Sequence, residues 1–97
     1  MLQQFSVARI EQQRVVVLTN TLFHNIDVLL VALIKPKTTA ALLAQFQIPV
    51  TIEGQASYID LLDIASVSAK RLKATAVDLQ SYRQQIKAGL DLLIDGF

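Results

Sequence analysis

From Tyr58 to the last residue, apolar side chains return every seven positions. Tyr58, Ala65, Leu72, Leu79, Ile86 and Leu93 form one series, and Leu62, Ala69, Ala76, Arg83, Leu90 and Phe97 form a second, four residues later. Interleaved series of this kind are the a and d positions of a heptad, which turn one face of a helix toward a partner helix. No Gly or Pro interrupts the run between Gly54 and Gly89. The spacing predicts a long helix over about 57–94, with a seam of Leu62, Ala65, Ala69, Leu72, Ala76, Leu79 and Ile86. The three alanines thin that seam and let a neighbouring helix come close. Arg83, at an inward position, reads as a snorkelling side chain or as a device that fixes register. Ser57 and Asp60 have the spacing of a capping box, and Asp60 and Asp63 suit the positive end of the helix dipole.

The first third of the chain has no Gly or Pro up to Pro36. Its "RVVVLTN" holds three consecutive valines, which by themselves suit a strand. Phe5, Ala8, Val15, Leu18, Leu22, Ile26, Leu29 and Leu33, however, recur at helical steps of three, four or seven. An unbroken stretch of about 30 residues is also much longer than a strand. A first helix is expected over about 4–34, ending before Pro36. "TTAALLAQFQIP" predicts a short helix over about 39–47 with Thr38 or Thr39 as N-cap, and "VTIEGQ" a loop or a brief extended piece. The expected fold is all-α: one domain over 1–97, a long antiparallel helical hairpin bridged by a short middle helix. Such packing sets Leu33 beside Tyr58 and makes Glu11 and Arg83 a register pair.

Composition then bears on assembly. Hydrophobic residues are 53% of the chain and charged ones 18%, against about 45–50% and about 25% in ordinary globular chains. A single hairpin has one inner face and cannot cover that surplus, so a homodimer forming a four-helix bundle is expected, with a further protein partner possible. The most apolar stretch, "TLFHNIDVLLVALIKPK", is interrupted by His24, Asn25 and Asp27. An aspartate near the middle of an inserting helix costs about 2.5–3.5 kcal/mol, so no transmembrane span is expected, although peripheral membrane contact stays open. "VLLVALI" is apolar all round and must be enclosed by core or by a partner. The net charge of +1 is too small to imply nucleic acid. The absence of cysteine excludes disulfide and thiol chemistry. The N-terminus lacks the apolar run of a signal peptide, which favours the cytoplasm without excluding signal-less export.

Little in the chain suggests chemistry. His24 and Asp27 lie three apart, but one histidine and no cysteine cannot build a metal site of the usual His/Cys type. Ser57 reads as a cap, no Gly-rich phosphate loop is present, and Lys70, Arg71 and Lys73 read as a solvated helix face. No catalytic residue, cofactor or metal is expected. In length and layout the chain resembles the small secreted helical hairpins and the helical bacteriocin immunity proteins. It has no tryptophan for the Trp-x-Gly turn of the former. The expected function is that of a non-catalytic helical interaction protein, an adaptor, accessory or assembly factor acting through apolar helix surfaces. The alternative is a membrane-surface or bacteriocin-immunity-type protective protein, with a ligand-binding or enzymatic bundle as a remote third reading.

Overall fold

The computed structural model describes residues 2–20, 27–38 and 40–96, and its main elements are strands. They are β1 (Ser6–Ile10), β2 (Gln13–Val17), β3 (Val28–Pro36), β4 (Gln47–Ile52), β5 (Gln55–Ser68) and β6 (Lys73–Asp78), followed by one α-helix, α1 (Arg83–Asp95). The strands form a single antiparallel sheet in the order β4-β5-β3-β2-β1-β6. It curls into a half-barrel, so that Ile52 of β4 and Thr75 of β6, from the two outermost strands, line the same hollow.

The all-α expectation is therefore overturned. The segment read as a helix over 4–34 contains β1, β2 and the start of β3, and the one read over 57–94 contains β5, β6 and, only in its last third, α1. In place of a short helix at 39–47, residues 44–46 make a turn that leads into β4. Among the described residues there is no long-helix hairpin to build a four-helix bundle.

The physical reason is that the central strands are covered on both sides. Val15, Val16 and Val17 are all buried, and a strand buried on both faces shows a continuous apolar run rather than alternation. "VLLVALI" is the body of β3, bonded to β2 on one side and β5 on the other.

In β5 a register shift hides the strand pattern. In the ladder between β3 and β5, Leu33 faces Asp60 and Ala32 faces Ile64, so Leu61, Leu62 and Asp63 are extra residues bulging from β5. A bulge with an odd number of extra residues exchanges the faces of the strand beyond it. Ile59 and Leu61, before the exchange, belong to one core cluster, whereas Ala65 and Val67, after it, pack on the other. A strand with such a shift loses its period of two and can imitate a helical period.

The two clusters lie on opposite faces of the sheet. The first joins Phe5, Val7, Val16, Ala32, Ile34, Ile59 and Leu61 to Leu79 and to Ile86 of α1. The second is smaller, with Ala8, Val15, Val17, Val31 and Leu72 buried and Leu29, Leu33, Ala65 and Val67 half-buried around them. Local geometry sets the turns. Glu53 and Gly54, at φ 51° and 79°, close the β4–β5 hairpin as a two-residue loop of the kind whose twist matches its strands. Phe5 adopts φ 66°, an unfavourable value for a bulky residue. Its N–H donates to the Val17 carbonyl and its carbonyl accepts from Leu79 N–H, each at 2.7 Å, and its side chain is buried.

Candidate protein-interaction surfaces

The residues expected to share one seam are dispersed. Leu62 sits in the β5 bulge, 50% exposed, Ala76 is exposed on β6, and Ala69 lies in a 3-10 turn. Ala65 and Leu72 join the second cluster, while Leu79 and Ile86 are in the first. The register pair does not form: Glu11 Oε1 lies 3.7 Å from Arg71 Nη2, and the Arg83 guanidinium stacks 5.7 Å over the Phe5 ring. Ser57 caps no helix. It is buried in β5, and its hydroxyl makes a long 3.5 Å bond to the Gln55 carbonyl. His24 and Thr39 lie outside the described residues. Thr38 Oγ1 accepts from Ala40 N–H at 3.3 Å within a turn, and the Asp27 carbonyl accepts from Ala69 N–H. Among the described residues no three potential ligands gather to hold a metal, and no helix is long and apolar enough to cross a membrane.

Asp60 and Asp63, read as helix-dipole partners, instead hold the β5 bulge to β3. Lys35 Nζ donates to Asp60 Oδ2 at 2.8 Å and reaches Asp63 Oδ2 at 2.9 Å, while Asp60 Oδ1 accepts from Leu62 N–H inside the bulge. The bonds to Asp60 and then Asp63 hold the Lys35 pKa well above its ordinary value.

That bulge is the platform for α1. Leu61 points at Gly89, where an added Cβ would come within 2.5 Å of Leu61 Cδ1 and 2.6 Å of the Gln45 carbonyl oxygen. Gly89 therefore allows a close approach of helix and sheet. Beside this contact a largely apolar groove of about 420 Å³ runs between Ala44, Gln45, Ile48 and Pro49 on one side and Gln85, Ala88 and Leu92 on the other. Past Gly89 the helix carries apolar residues outward, with Leu93 41% and Ile94 78% exposed; Leu43, Val28 and Leu30 are also exposed. The neighbouring Leu93 and Ile94 give the end of α1 an apolar surface open to contact with another protein.

At the opposite end of the concave face the surface is basic. Arg9 of β1 directly faces Arg14 of β2 and Lys73 of β6. These side chains were legible in the sequence only as scattered charges, since their adjacency depends on strand register.

A half-barrel sheet with one helix packed on its concave face can now be compared with known proteins. The CcdB protein family model matches residues 4–96. The chain belongs to the CcdB family. The crystal structure of an Mtb toxin has the same fold, with a TM-score of 0.71 at 17% identity, over 94% of this chain and 99% of that one. No curated protein matches the sequence. Membership of the CcdB family overturns the helical adaptor reading and gives no support to the membrane-surface or immunity-type alternative.

Proposed function

We propose that this chain is the toxin of a toxin–antitoxin pair, a non-catalytic protein that arrests growth in the cytoplasm by binding DNA gyrase. The observation that carries this reading is the family match across residues 4–96. The fold shared with the Mtb toxin supports it, as do apolar surfaces suited to protein contacts. Leu93 and Ile94, standing out from the end of α1, are the side chains we assign to the target. The half-buried second face, with Leu29, Leu33, Ala65 and Val67, is the one we assign to a second copy of the chain.

Induced expression in a bacterial host tests the reading. Colony counts should fall sharply, and co-expression of the adjacent gene product should restore them. Unimpaired growth with soluble protein present would refute the toxin. Growth arrest combined with full supercoiling activity of purified gyrase would refute the target and keep the toxin.

A further inference from the structure

The solvent side of α1 carries an ordered ridge of charge. Arg83, Lys87, Asp91 and Asp95 follow one another at steps of four and are all exposed, whereas Ile86 and Gly89 turn inward. Side chains four apart are neighbours on a helix surface, so the ridge is basic in its first half and acidic in its second. That order runs against the helix dipole, which favours acids at the N-terminal end and bases at the C-terminal end. The first turn holds no acid and the last turn no base. Lys87 and Asp91 have the spacing of an intrahelical pair, yet among the described residues none of the four makes an ion pair. Arg83 stacks over the Phe5 ring, and the other three charges point to solvent. The ridge thus costs the helix stability without being neutralised inside the chain.

We infer that this ridge binds the same ridge of a second copy, helix against helix and antiparallel. The charge order is its own complement. When two copies of α1 lie antiparallel about the level of Gly89, Arg83 of each faces Asp95 of the other and Lys87 faces Asp91, which makes four opposite-charge pairs. A parallel alignment would set base on base and acid on acid. Ridges of four-residue spacing also interdigitate with one another, at a crossing angle of about 50°. Ile94, 78% exposed, stands beside the ridge and falls opposite Gln84, so the contact also withdraws apolar surface from water. A nucleic acid, or a segment of uniform charge, would be repelled by one half of the ridge. The contact is separate from the face assigned above to a second copy, because α1 and the half-buried cluster lie on opposite sides of the sheet. It joins such pairs to one another. Only its consequence for activity rests on the toxin reading: by covering Ile94 it withholds from the target a side chain assigned to it.

Exposed ion pairs are individually weak, so the expected Kd is on the order of 1 mM. The chain has no cysteine, and a nitroxide attached to Gln84→Cys therefore gives a single reporter beside the ridge. Mixed at low ionic strength with an isotope-labelled, nitroxide-free copy, it should broaden the amide NMR signals of residues 91–95 in that copy. Salt at about 0.5 M should remove the broadening. Two charge variants then test the complement. Arg83→Glu with Lys87→Glu makes the ridge wholly acidic, and Asp91→Lys with Asp95→Lys makes it wholly basic. Neither should broaden its own kind, and a mixture of the two should show stronger broadening than wild type. Recovery in the mixture separates lost contact from lost folding. An absence of broadening at residues 91–95 in wild type at millimolar concentration would overturn the inference, as would equal broadening in the variants alone and mixed. Growth arrest is read in no arm, so either failure leaves the toxin reading intact.

Discussion

The same strands bury very different surfaces on their two faces. On the concave face α1 lies across the sheet, and Ile59, Leu61 and Ile86 are fully enclosed. On the other face, among the described residues, no helix packs, Leu72 and its neighbours close over the strands, and Leu29, Leu33, Ala65 and Val67 stay half-buried. The comparison teaches that one face is completed by the chain itself and the other stays apolar and half-buried, the face we assign to a second copy. Stability and association should therefore be separable by face.

The largest expected effect is on the enclosed side. Ile86→Ala should cost about 2–5 kcal/mol, because the site is fully packed and collapses poorly, and chemical denaturation would show it. Leu33→Asp on the open side should leave the β-rich circular dichroism of the chain intact while reducing the mass seen by light scattering from twice the chain mass to one. Equal losses of stability from the two changes would break the distinction between the faces.

Gly89→Ala should come next. Alanine favours a helix interior by up to about 1 kcal/mol, but its methyl would meet Leu61 and the Gln45 carbonyl, and overpacking typically costs about 1–3 kcal/mol. A net loss in Tm is expected; a gain would mean that α1 can lift from the bulge freely.

Lys35→Met probes the bulge at a comparable or smaller scale, about 1–3 kcal/mol, by depriving the nearly buried Asp60 carboxylate of its donor. Its pH dependence has a defined sign. Hydrogen bonds to Asp60 and Asp63 raise the folded pKa above the ordinary value of 10.5, so the lysine's contribution is complete below that value and is lost as pH rises through the raised one. The Tm gap between wild type and variant should stay constant from neutral pH to about 10 and narrow above it. A gap that widened with pH would contradict the ion cluster. The smallest effect belongs to the exposed Glu11–Arg71 pair, where Glu11→Gln should leave Tm unchanged within error.

The apolar surplus was legible in the sequence, and so was the consequence that part of the surface suits another protein. Pro36 was read as the end of a helix, yet it closes β3; Pro49 sits on β4, an outer strand where a missing N–H costs no ladder bond. "EG" at 53–54 closes a two-residue hairpin, a signal easily read as a loop. Gly89 was visible as a glycine in a helix, but not as the contact point of helix and sheet.

What the sequence determined by itself was where the apolar residues concentrate: the valine triplet, "VLLVALI" and the series after Tyr58, of which Val28, Leu30, Leu62 and Leu93 nonetheless stay exposed. It did not determine the secondary structure they adopt, because a continuous apolar run fits a doubly covered strand as well as a helix turned inward. Tertiary structure decided that question. Strand pairing covered both faces of β2 and of the middle of β3, and a three-residue bulge exchanged the faces of β5, which erased the period of two that would have marked it as a strand. Register alone brought Arg9, Arg14 and Lys73 together, since residues far apart in sequence become neighbours only when strands pair.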